Sequence, residues 1–146
     1  PMNPSLFIAS SDAEITACFP AFHALRPHLE AASFLARIRR QQAASYQILA
    51  LKHEGLVKSV AGFRFAEFLA WGKVLYIDDL STLPEHTGQG HAGALLDWLI
   101  AHARAQDCAG LHLDSGYHRH AAHRLYLGKG LTLSSHHFAH ALDQEA

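Results

Sequence analysis

Two cysteines in 146 residues, Cys18 and Cys108, are too few for a disulfide scaffold and are not spaced as a CxxC pair. Both are therefore expected to be reduced, mostly buried thiols. Charge of neither sign dominates, since Lys+Arg 12 against Asp+Glu 13 leaves a formal net charge of −1. That balance offers no basic face to a nucleic acid. No apolar run approaches the ~20 residues of a membrane span, and no basic region followed by an apolar one opens the chain. A soluble, cytoplasmic protein without a membrane or nucleic-acid partner is the expectation. Repeats, low-complexity tracts and linkers are absent too, so one domain over residues 1–146 is expected, long enough to bury a core.

What is abundant is histidine, 13 in all, clustered at His118, His120, His123 and at His136, His137, His140. His120 and His123 stand three apart on an expected helix, but no HExxH, acidic partner or cysteine set accompanies them. They are read as polar positions that titrate near neutrality, and no metal is expected.

Along the chain, Leu6 to Ala9 forms a first edge strand, and Ser10 or Ser11 caps a helix with Asp12 and Glu14 in its first turn. Its stripe is Ile15, Cys18, Phe19 and Phe22, which Pro20 should kink or end. A second helix runs from about His28 to Gln42, with Leu29, Phe34, Leu35 and Ile38 buried and a basic end suited to a helix C-terminus. Tyr46 to Lys52 and Leu56 to Leu69 are strands around a His53-Glu54-Gly55 turn. After Ala70 to Lys73 come an apolar run from Val74 to Leu83, a strand at Gly110 to Ser115, a helix at about Arg119 to Gly128, and terminal strands at Leu131 to Leu133 and His136 to Leu142. The order predicts a mixed α/β fold, antiparallel first with one parallel step, holding six to seven strands and about four helices.

The centre of this plan is the junction at Gly88-Gln89-Gly90. Pro84 stops the preceding strand, and from His91 the apolar residues Ala92, Leu95, Leu96, Leu99 and Ile100 recur at helical spacing up to about Gln106. The first turn of a helix has N–H groups without intrahelical partners and the positive end of the macrodipole. Glycines let a phosphate approach, so N–H groups of about residues 88 to 93 form a candidate phosphate cradle.

Gly88-Gln-Gly90-His-Ala-Gly93 also spells GxGxxG, with Asp114 21 residues beyond Gly93. In the dinucleotide fingerprint the first glycine ends the strand directly, whereas Pro84 to Thr87 intervene here, and only 32 residues follow Asp114. From Tyr76 to His137 the chain instead resembles the GNAT superfamily of acyl-CoA-dependent N-acyltransferases. The family motif [Q/R]-x-x-G-x-[G/A] is met as Thr87-Gly88-Gln89-Gly90-His91-Ala92. A later signature, a helix with N-x-x-A-x-x-[LF]-Y and then a G-[FL] turn, is met as Arg119-His-Ala-Ala122-His-Arg-Leu125-Tyr126-Leu-Gly-Lys-Gly130-Leu131. Thr87 stands where Arg or Gln is usual, His91 where an aliphatic residue is, and Arg119 where Asn is common.

The resemblance implies acetyl transfer from acetyl-CoA, a co-substrate, to a primary amine by direct attack in a ternary complex. It implies that Thr87, Gly88, Gln89, Gly90, His91, Ala92, Gly93 and Arg119 hold the cofactor, with the pantetheine arm on backbone of Leu80 and Thr82 and a bulge freeing those groups. Tyr126 matches the tyrosine that serves the departing thiolate, and Asp78 the acid that deprotonates the amine. Asp78 and Asp79 are adjacent on a strand and should face opposite sides. His112, His136 and His137 are reserve bases. The acceptor is a small-molecule or protein amine, acids at the cleft suit a cationic amine, and a homodimer is common in the family. The alternatives are a CoA-holding sensor or subunit domain without turnover and, more remotely, a dinucleotide-binding protein.

Overall fold

The computed structural model describes residues 3–143, which fall into two compact units, one up to Leu113 and one from Asp114. The first unit opens with β1 (Ser5–Ile8) and α1 (Asp12–Ala17). Ser11 caps α1 reciprocally: its hydroxyl accepts from Glu14 N–H, and the Glu14 carboxylate accepts from Ser11 N–H at 3.0 Å. At Cys18 the chain starts a second helix, α2 (Phe19–Leu25), with Pro20 in its first turn, where the missing N–H costs nothing. The kink or end expected at Pro20 is thus a division into two helices. Helix α3 (Ala31–Gln42) begins three residues later than its apolar spacing suggests, after Glu30 in extended conformation.

Strands β2 (Gln47–His53), β3 (Leu56–Phe68) and β4 (Gly72–Thr82) form the antiparallel meander with β1. A 3₁₀ turn at Pro84–His86 leads to α4 (His91–Ala105), and β5 (Gly110–Leu113) returns parallel to β4. The sheet order is β1-β2-β3-β4-β5, mixed and mostly antiparallel.

Both faces of this sheet are covered, so Leu49 to Leu51 and Val57 to Phe63 are buried without alternation. Ile48, Ala50 and Val60 share a core with Ile15, Cys18 and Phe22, and with Phe34 and Ile38 of α3. Phe63 points the other way and meets Trp98 and His102 of α4, at ring separations of 6.5 and 6.0 Å. Leu95, Leu96 and Leu99 are fully buried on that helix.

The second unit holds α5 (His120–Gly128) and a segment without regular structure. The strands expected at Leu131 to Leu133 and His136 to Leu142 do not form: 131–143 carries no regular structure, and Leu133, Phe138 and Leu142 are exposed. Short apolar runs make strands only where a ladder accepts their backbone groups. The described sheet therefore has five strands rather than six to seven, with five α-helices rather than about four. No described helix is long and apolar enough to cross a membrane.

Candidate active site

The glycine loop ends in the geometry that anion binding requires. Gly88 and Gly90 have φ of +75° and +82°, conformations L side chains rarely adopt, and no atom lies within 4 Å of a Cβ built on either. Gly90 is the N-cap of α4 and brings no side chain to its amides. The first helical bond is Ala94 N–H to Gly90 O at 3.0 Å. The N–H groups of His91, Ala92 and Gly93 therefore have no acceptor within the helix, above an open, side-chain-free surface. Such a surface fits the pyrophosphate of CoA. Beside it, Thr87 turns its hydroxyl back to Pro84 O at 3.2 Å.

His91 does not project toward that surface. Its ring is buried, 3.2 Å from Gln89 Oε1 and 6.3 Å from the centre of the His53 ring. Burial first, then the charges of Lys58, His53 and His86, hold its pKa below the ordinary 6.5. A neutral imidazole there does the packing of the aliphatic residue it replaces.

Strand β4 has a free edge beside this loop. Leu83 N–H donates to Lys58 O at 2.8 Å, and the register pairs Thr82 with Ser59, Ser81 with Val60 and Leu80 with Ala61. Main-chain groups alternate sides along a strand, so Ser81 and Leu83 address β3 while Leu80 and Thr82 turn theirs to the opposite edge. There the register with β5 ends at Ile77↔Leu113, and among the described strands none pairs with Leu80 or Thr82 on that side.

The bulge in β4 lies against β3, not β5. Asp79 pairs with Gly62 and Ile77 with Phe63, leaving Asp78 opposite no partner residue. This extra residue overturns the expected opposition of Asp78 and Asp79, because both now line one cavity of about 500 Å³. Its walls include Phe22, Leu29, Phe34 and Ile38, and its polar lining includes Arg26, Arg37, Gln41, Tyr46 and Tyr76.

Neither carboxylate is unpaired. Arg64 grips Asp78 with Nη2 at 2.6 Å from Oδ2 and Nε at 3.0 Å from Oδ1, and that bond raises the guanidinium's pKa. Asp79 accepts from Arg26 Nε at 3.0 Å and from the Tyr46 hydroxyl at 2.7 Å. Burial, with Asp79 next, pushes the Tyr46 pKa far up, so its phenol stays protonated. Arg26, Tyr46 and Arg64 escaped sequence reasoning. They sit in no motif and reach Asp79 and Asp78 across 53, 33 and 14 positions.

In the second unit, Tyr126 is the buried residue of α5. Burial raises its pKa, opposed by the charge and hydrogen bond of Arg119, the residue preceding that helix. The phenol is therefore protonated at neutral pH. In the later histidine cluster Tyr117 Oη lies 3.0 Å from His136 Nδ1 and His137 Nδ1 lies 3.6 Å from Asp114, while the rings of His120 and His123 meet edge to face. Among the described residues no three His, Cys, Asp or Glu side chains are grouped to hold a metal ion. His112 stacks on Trp71 at 4.0 Å.

Residues 12–130 match the model of the acetyltransferase (GNAT) family. The uncharacterized N-acetyltransferase YhdJ of Bacillus subtilis strain 168 is 30% identical over 131 residues, 88% of this chain and 92% of its own. The ribosomal-protein-alanine N-acetyltransferase of Brucella melitensis biovar Abortus 2308 has the same fold at 14% identity, with a TM-score of 0.82 over 97% of this chain and all of the other. So does the aminoglycoside N-acetyltransferase AAC(6')-Iy in complex with CoA, at 13% identity and a TM-score of 0.81 over 97% of each chain. With a family match across most of its length and the two motifs at Thr87 to Ala92 and Arg119 to Leu131, this chain belongs to the GNAT acetyltransferase family.

Proposed function

We propose that this protein transfers an acetyl group from acetyl-CoA to the primary amine of a small molecule in a ternary complex. The observation that carries the reading is the α4 N-terminus, where the N–H groups of His91 to Gly93 have no acceptor within the helix and the loop of left-handed glycines is open. The phosphates rest on residues 88 to 93, flanked by Thr87 and Gln89, with Arg119 a further cofactor contact. The pantetheine amides bond the free main-chain groups of Leu80 and Thr82.

The amine nitrogen attacks the thioester carbonyl, the C–N bond forms, and the C–S bond breaks as the intermediate collapses. Asp78, held by Arg64, takes the ammonium proton, directly or through water. Tyr126, protonated at neutral pH, gives its proton to the departing thiolate and recovers one from solvent. The residues function as one domain, and a homodimer is part of the proposal; a monomeric mass by light scattering at micromolar concentration would remove it.

The second reading is a domain that holds CoA without turnover. It draws on the ion pair of Arg64 with Asp78, which engages the candidate base, and on that of Arg26 with its neighbour Asp79. Calorimetric titration with acetyl-CoA, beside a Gly90→Asp variant that sets a carboxylate in the cradle, tests the cofactor site. Binding that the variant abolishes supports it, and absence of binding in the native protein rejects the catalytic reading. Amine-dependent thiol release that falls about 100-fold in Tyr126→Phe favours the enzyme; tight binding with no release over a broad amine panel favours the sensor.

A further inference from the structure

The charges around the cavity at Asp78 and Asp79 do not suit the cation that two adjacent aspartates first suggest. We infer that the cavity takes an amine that also carries a carboxylate and an apolar body, the chemistry of an apolar α-amino acid, rather than a polycation. The inference rests on the acyltransferase reading and narrows its acceptor.

Asp78 is neutralised by Arg64 and Asp79 by Arg26, while Tyr46, which donates to Asp79, adds no negative charge. Arg64 is further occupied by Gln41, with Nη2 at 2.9 Å from Oε1. Arg37 lines the same cavity and has no ion-pair partner among the described residues. Three guanidinium groups thus face two carboxylates. The surplus is positive whether or not His28, also in the lining, is protonated.

A polyamine entering here meets repulsion that no free acid offsets. A carboxylate meets Arg37, whose planar fork is suited to it. Phe22, Leu29, Phe34 and Ile38 supply apolar wall, and about 500 Å³ is the volume of a small-molecule site. The ammonium of such a substrate needs only one acceptor, for which a lone pair of the Asp78 carboxylate not taken by Arg64 suffices.

The test measures thiol release from acetyl-CoA with L-phenylalanine, L-leucine, phenethylamine, isopentylamine, L-phenylalaninamide and spermidine. It uses the full chain and its Arg37→Ala, Arg37→Glu and Arg40→Ala variants. The expected result is that kcat/KM for the two amino acids exceeds that for their decarboxylated or amidated counterparts by about tenfold or more. Arg37→Ala brings the ratio toward one through KM, and Arg37→Glu inverts it. Arg40→Ala, the same charge change on α3 outside the lining, keeps it.

Equal or better use of phenethylamine or spermidine overturns the inference, as does a ratio unmoved by Arg37→Ala. Acetyl-CoA binding without turnover of any amine would instead remove the enzymatic reading. Titration of L-phenylalanine and phenethylamine into the CoA-loaded protein then decides: carboxylate-selective binding lost in Arg37→Ala supports the cavity's specificity, and its absence overturns it.

Discussion

Gly62 lies directly beneath the hydroxyl of Tyr46: a Cβ at position 62 would overlap that oxygen and crowd the ring carbons behind it. The strand can bring β3 this close to Tyr46 only where it has no side chain. Gly62 is also the register partner of Asp79, which receives the Tyr46 hydroxyl. One glycine thus seats the tyrosine that orients one wall of the cavity at Asp78 and Asp79.

Gly62→Ala is therefore expected to cost about 1–3 kcal/mol through overpacking and loss of the Tyr46–Asp79 bond. In a Tyr46→Ala background the same change should cost a small fraction of that. Urea unfolding of the four proteins measures the coupling, and additive effects would show that the contact is not what makes alanine unwelcome.

Gly90→Ala, at φ +82° with open space around it, meets no neighbour and is strained only through its backbone. A loss of about 1–2 kcal/mol is expected, together with weaker acetyl-CoA binding as the first turn of α4 relaxes. Gly128→Ala, inside α5 with equally open space, should instead be neutral or stabilising. Denaturation midpoints and calorimetry on both variants check the contrast.

His91 predicts acid sensitivity. Its folded pKa lies below the ordinary 6.5, chiefly through burial, so the unfolded chain takes up a proton at a pH where the folded one still resists it. Between those two values the unfolded state binds more protons, and stability falls as pH drops below about 6.5, levelling off below the folded value. Urea midpoints of the native protein should decline more steeply from pH 7.5 to 5.5 than those of His91→Leu. Parallel declines would show that His91 is not the group responsible.

The two thiols should differ in reactivity. Cys18 is buried against the sheet, its Sγ 3.3 Å from Glu14 O, and burial pushes its pKa up to about 12. Cys108 is partly exposed. Iodoacetamide at pH 8 should label Cys108 in the folded protein and reach Cys18 only on unfolding, which mass spectrometry of the peptides reads directly. Comparable rates would place Cys18 outside the core.

Much of the first unit could be read from residue order. Ser10 or Ser11 before the acids Asp12 and Glu14 marks a helix start, which the structure closes at Ser11 as a reciprocal cap with Glu14, and the period change at His91 marks α4. Pro20 showed that something must happen near Cys18. The terminal strands that the sequence suggests do not form, because an apolar run such as Leu131 to Leu133 looks the same whether or not a sheet edge is there to pair with it.

By itself the sequence determined what local physics controls: the order of the strands in the first unit, the glycines at 88 and 90 that an unblocked helix N-terminus needs, and the family motifs around them. Tertiary structure alone decided the cavity at Asp78 and Asp79. The bulge at Asp78 depends on how β3 meets β4, and it turns both aspartates toward one cavity. Arg26, Tyr46 and Arg64 then neutralise and orient them across distances no local pattern records. Periodicity fixes which face a residue takes only while the ladder is regular; one extra residue resets it, and with it the charge a substrate meets.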